Sequence, residues 1–169
     1  MKNYRKYLPE FVYGGVDGAI TTFAIVAGAI GASLSSSIIL ILGFANLFAD
    51  GFSMAVSSYL STKSDMALNK RKKFEKKPQN SAIATFVSFI LIGFIPLLFF
   101  VLALFQDNLI QNAFLFSSIL TAFAFLFIGY VKGYVSGKKR IYSAFETLAI
   151  GAVASGLAFG IGYFLRSLV

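Results

Sequence analysis

A single all-α membrane domain of five transmembrane helices is the fold this sequence predicts. Hydrophobic residues make up 57% of the chain and charged residues 13%, about half the charged share of a typical soluble domain. The apolar residues form five long continuous runs, which implies helices and not the alternating strands of a barrel. Lysines and arginines fall in alternate gaps between those runs, as in the cytoplasmic loops of membrane proteins. A water-soluble fold of 169 residues could not hide this much apolar surface, because small domains bury only a modest fraction of theirs.

The spans are placed near 11–33, 37–60, 81–105, 112–135 and 142–165, each about 23 residues or more and roughly 35 Å long as a helix. Ser33 to Ser37 forms the first turn, and residues 61–80 form a polar, lysine-rich loop containing Pro78. A short polar turn follows at Gln106, Asp107 and Asn108, and a basic turn at Ser136 to Arg140. Pro96 lies inside the third span, where its missing N–H predicts a kink.

Charge sets the orientation. The N-terminal tail carries Lys2, Arg5 and Lys6. The 61–80 loop carries Lys63, Lys70, Arg71, Lys72, Lys73, Lys76 and Lys77. The end of span four and its turn carry Lys132, Lys138, Lys139 and Arg140, leaving Arg166 alone on the other side. The expected topology is therefore N-in, C-out. The net charge of +8 is read as attraction to an anionic cytoplasmic leaflet and not to nucleic acid. The first apolar stretch is too long for a cleaved signal peptide. With no cysteine and no histidine, disulfides, thiolate or imidazole metal sites and Cys/His nucleophiles are excluded.

An ionisable group inside a membrane marks function by default. Of seven acids, Asp17, Asp50 and Glu146 lie within spans. Asp17 sits among Gly14, Gly15 and Gly18, with Thr21 one turn further. Span two carries Asn46, Asp50 and Met54 four residues apart, with Ser57 and Ser61 continuing the stripe. That spacing puts an amide oxygen, a carboxylate and a thioether on one helix face. Oxygen ligands suit hard or borderline divalent cations, and a thioether shifts preference towards softer ones such as Fe²⁺. Glu146, near the start of span five, is placed to pair with Lys132 or Arg140, or else to couple protons together with Asp17 and Asp50. Small residues at 14, 18, 24, 28 and 32 form a face on span one suited to close helix contact.

Three stretches resemble the vacuolar iron transporter family, which includes the yeast vacuolar iron/manganese carrier and the plant nodulin-21 proteins. They are residues 13–28, with Tyr-Gly-Gly-Val-Asp-Gly; residues 43–55, with Gly-Phe-Ala-Asn-Leu-Phe-Ala-Asp-Gly-Phe-Ser-Met-Ala; and residues 59–64. The last span, from Glu146 through Gly151 and Gly156, resembles the family's end. The resemblance implies a five-helix homodimer that moves Fe²⁺, often Mn²⁺, out of the cytosol against protons. It assigns Asp17 and Met54 to the transport site; the span-two stripe sets Asp50 and Asn46 beside them. The span-one small-residue face would then lie near the two-fold axis. This sequence departs from the family twice. Ser57 and Ser58 stand where an acid is common, and the short 61–80 loop, with Glu75 as its only glutamate, replaces a long Glu-rich metal-binding domain.

The leading expectation is a divalent-metal exporter with no resident cofactor, not an enzyme. The alternatives are a non-transporting membrane scaffold or paralogue and, more remotely, an intramembrane aspartyl protease. The latter's Gly-x-Gly-Asp signature is not matched around Asp17 or Asp50. Richness in Lys, Ile, Phe and Asn points to a prokaryotic cell (inner) membrane. Reporter fusions test the topology: residue 138 should report from the cytoplasm and residue 169 from the far side, and a cytoplasmic C-terminus would refute it.

Overall fold

A computed structural model of the chain describes residues 5–68, 76–106 and 112–168. Lys2, the loop residues Lys70, Arg71, Lys72, Lys73 and Glu75, and the turn residues Asp107 and Asn108 lie outside the described residues. Within them the chain is all-helical, with six α-helices: α1 Leu8–Gly31, α2 Ser36–Leu68, α3 Pro78–Gly93, α4 Leu98–Ala103, α5 Ala113–Val135 and α6 Arg140–Arg166. α3 and α4 together make one crossing, so five segments are long and apolar enough to span a membrane. The protein is an integral membrane protein of the expected class.

Pro96 does what its missing N–H requires. α3 ends at Gly93, a 3₁₀ turn covers Ile95–Leu97, and α4 resumes at Leu98. The Ser117 hydroxyl of α5 donates to the Pro96 carbonyl, which ties the irregular backbone to a neighbouring helix, as membrane depth demands. Two turns close with left-handed residues. After α1, Ser33 has φ 57°, and the N–H groups of Ser33 and Leu34 donate to the carbonyls of Ile30 and Ala29, each at 2.9 Å. After α5, Gly137 has φ 67° and Lys138 N–H donates to Gly133 at 3.0 Å. The first is a Schellman motif and the second shares its longer bond; both satisfy carbonyls that a helix end leaves free.

α2 extends to Leu68, eight residues beyond the expected end of span two. Nothing in Ser61–Leu68 breaks a helix, since it lacks glycine and proline; only its polarity had marked it as loop. α3 begins with Pro78 at its first position, where a missing N–H costs nothing.

Helix packing rests on glycine. A Cβ at Gly14 would lie 2.5 Å from the Thr85 carbonyl oxygen, and one at Gly18 would lie 2.5 Å from that of Phe89. On the reciprocal side, a Cβ at Gly93 would lie 2.9 Å from the Gly18 carbonyl oxygen. α1 and α3 thus touch backbone to backbone. α2 reaches α3 through Gly51, which faces Phe89, Phe86 and Ile90. At the far end of α1, Gly31 meets Phe159, and Gly162 of α6 meets the Gly28 carbonyl. These contacts correct one expectation: the small-residue face of span one is occupied within the chain by α3 and α6. The core around α2 and α3 is built from Val26, Ile39, Leu47, Phe89, Leu97 and Phe100.

The charged ends gather as the alternation of loops requires. Lys76 pairs with Glu10 at 2.7 Å, and Lys132 with Glu146 at 3.0 Å. At the opposite end, Arg166 donates to the Ser33 hydroxyl. Gly18→Ala should lower thermal stability in detergent by about 1–3 kcal/mol, the usual cost of overpacking. Gly156→Ala, which meets nothing within 4 Å, should be neutral or slightly stabilising. Equal melting temperatures for the two variants would contradict this packing scheme.

Candidate metal pathway

A cavity of about 1030 Å³ opens at the basic end of the bundle. α1 supplies Glu10, Tyr13 and Val16 to its wall, and α2 supplies Met54, Ser57, Ser58, Ser61, Thr62 and Asp65. Lys76, Thr85, Lys132 and Ser136 complete it. The serines that extend the span-two stripe therefore do line a cavity, and Met54 lies at its inner end while also packing against the hydrophobic core.

Depth follows from chain direction. α1 runs inward from the basic end and α2 runs outward to it. Val16 and Met54 line the cavity, so Asp17 lies directly beyond it on α1. Asp50 and Asn46 lie one and two turns deeper on α2, about 6 Å per step. Asp17 and Asp50 are close enough for their charges to act on one another. The close contacts of α1 and α2 with α3 hold them there. Neither carboxylate has a hydrogen bond or cationic partner among the described residues; Thr21 donates to the Asp17 backbone carbonyl instead, at 2.9 Å. The buried amide nitrogen of Asn46 is also without a partner. Asp17, Asn46 and Asp50 are each half-buried, and polar groups taken even partly out of water without a partner are costly.

Glu146 is not brought to this group. Its ion pair with Lys132 is about a third exposed, and solvent screening leaves such a pair a weak contribution to stability. The sequence places Glu10 only as an interfacial acid. It lies in the first turn of α1 and takes Lys76 on one oxygen, while its other oxygen is buried without a partner. The Ser81 hydroxyl is 3.4 Å from the first oxygen, and Lys77 N–H donates to the Tyr7 hydroxyl at 2.9 Å. The end of the 61–80 loop is thus strapped to the start of α1. Both lysines on the cavity wall are matched by a carboxylate, so a cation arriving there meets no unbalanced positive charge from them. Among the described residues no three acids cluster to form a complete metal site; Glu10 and Asp65 line the cavity wall, and Asp17 and Asp50 lie beyond it.

The family model described as the VIT family matches residues 8–77 and 66–163. The chain belongs to the VIT family. A vacuolar iron transporter of Centaurea cyanus is 31% identical, over 89% of this chain and 84% of its own length. Vacuolar iron transporter 1 of Arabidopsis thaliana is 30% identical, over 89% and 82%. A vacuolar iron transporter of Toxoplasma gondii is 51% identical over a shorter stretch, 32% of this chain and 18% of its own length. The Centaurea alignment runs over 211 residues, more than this chain contains, so the relative carries sequence this VIT-family chain lacks. The two matched segments overlap at 66–77, which puts the break in the 61–80 region. These relatives are eukaryotic and named vacuolar, so they lend no support to the expected prokaryotic cell membrane.

Proposed function

We propose that this VIT-family protein is a transporter, not an enzyme, and that it carries a divalent metal ion, Fe²⁺ or Mn²⁺, out of the cytosol in exchange for protons. One observation carries the reading: a cavity at the basic end reaches Val16 and Met54, and the carboxylates Asp17 and Asp50, on those same two helices, have no cationic partner among the described residues. The names of the relatives, vacuolar iron transporters, support iron as the cargo.

The metal approaches through the cavity, past the serines of α2, and meets Met54 before the carboxylates. The thioether selects for softness, and the carboxylates offset the loss of hydration. Metal binding displaces protons from its ligands, which couples the two fluxes. Asn46 offers an amide oxygen on the far side. The polar stripe from Asn46 through Ser53 and Ser57 runs along a partly exposed face of α2, which is unfavourable against lipid. A homodimer covers it and joins the two carboxylates of one protomer with those of its partner. The missing cytosolic domain leaves metal capture to the cavity itself.

Fe²⁺ and Mn²⁺ flux in proteoliposomes, with and without a pH gradient, tests this reading. Asp17→Asn should lower flux by about tenfold or more without unfolding the protein, since the ion would then cross low-dielectric surroundings poorly compensated. Met54→Leu keeps the volume and removes the sulfur, so it should lower the Fe²⁺/Mn²⁺ ratio more than total flux. Wild-type flux in Asp17→Asn would refute the site, and an unchanged ratio in Met54→Leu would make the methionine a packing residue only. Absence of any metal flux in the wild type would leave a membrane scaffold as the better reading.

A further inference from the structure

A second hollow, separate from the metal pathway, lies at the start of α6. Its volume is about 730 Å³, and it is lined by Tyr130, Lys139, Arg140, Ile141, Tyr142 and Phe145. Elsewhere at this end the wall lysines are matched by acids, Lys76 by Glu10 and Lys132 by Glu146. Here no carboxylate lines the hollow, and neither Lys139 nor Arg140 has an acidic partner among the described residues.

Arg140 is nonetheless held in place. Its Nη1 donates to the Tyr130 hydroxyl at 3.3 Å, and its guanidinium carbon lies 4.9 Å from the ring centre of Tyr134. Its backbone is pressed against Gly133, where a Cβ would come within 2.8 Å of the Arg140 Cα. A cation needed only for topology requires no such positioning. Ordering a long side chain costs entropy, and stacking on tyrosines leaves the guanidinium's remaining donors free for an anion. The remaining wall is apolar and outward-facing: Ile141, Tyr142 and Phe145 are each more than 60% exposed. Tyrosines at the end of a spanning helix sit at headgroup level.

We propose that this hollow binds the headgroup of an anionic phospholipid. Lys139 and Arg140 take the phosphate, the Tyr142 hydroxyl lies at the headgroup level, and Ile141 and Phe145 lie along the upper acyl chain. A basic, aromatic-rimmed pocket between transmembrane helices fits a lipid phosphate better than a free one, because a soluble anion gains nothing from the apolar wall. The site clamps the α5–α6 turn to the leaflet, independently of any metal.

The test uses the purified full chain in a neutral detergent, with lipid adducts counted by native mass spectrometry and the melting temperature followed in parallel. The probes are phosphatidylglycerol, phosphatidylcholine and inorganic phosphate. Phosphatidylglycerol should be retained and should raise the melting temperature, while the other two should do neither. Lys139→Gln with Arg140→Gln should weaken phosphatidylglycerol binding by about 30-fold, the loss expected for two basic contacts at a membrane surface. Tyr130→Phe, which keeps the ring and releases Nη1, should weaken it by less. Lys63→Gln with Lys77→Gln removes the same charge elsewhere and should leave binding unchanged. Equal weakening in that control would reduce the effect to general electrostatics and overturn the site. Equal binding of phosphatidylcholine, or competition by inorganic phosphate at similar concentration, would overturn the lipid assignment.

Discussion

Backbone contact between α3 and α1 is the constraint from which the rest of the structure follows. Between membrane helices there is little hydrophobic force, so association depends on close packing, and glycine permits the closest. Gly14 and Gly18 rest on Thr85, Ser88 and Phe89, while Gly93 rests on Gly18. α2 closes on the same Phe89 through Gly51. α3 is thereby clasped by both helices that carry the polar residues, and Asp17 and Asp50 are held within electrostatic reach of each other. A side chain at Gly14 or Gly18 would push α1 away from the α3 backbone.

Charge is balanced at the rim and unbalanced in the interior. At the basic end, Glu10 and Glu146 each neutralise a lysine of the cavity wall. Deeper in, Asp17 and Asp50 have no such partner among the described residues. In the proposed transport reading the deeper pair receives the cation, and the rim is the approach to it. The contrast also separates the two kinds of acid that the sequence could only group as residues within or beside a span. Glu146 belongs to the rim, in a partly exposed ion pair with Lys132; Asp17 and Asp50 lie deeper, without such a partner among the described residues.

Much of this was legible in the sequence because the membrane makes its demands bluntly. Five continuous apolar runs gave five crossings, Pro96 gave the break between α3 and α4, and the spacing of Asn46, Asp50 and Met54 gave one helix face. What was not legible depends on partners. Glycines at 14, 18 and 28 announce a close contact but not with whom, and within the chain the neighbours are α3 and α6. The extension of α2 to Leu68 was hidden because hydropathy reports lipid and not helicity. Glu10 looked like an interfacial acid until Lys76, 66 residues away, was found on it.

The central claim is that Asp17 of α1 and Asp50 of α2 act on one and the same metal ion. A double-mutant cycle on Mn²⁺ affinity tests it most directly, using the wild type, Asp17→Asn, Asp50→Asn and the double variant. If one ion sees both carboxylates, the losses should be non-additive, with a coupling energy of about 1 kcal/mol or more. Strictly additive losses, or an Asp50→Asn variant that binds as the wild type does, would contradict the account.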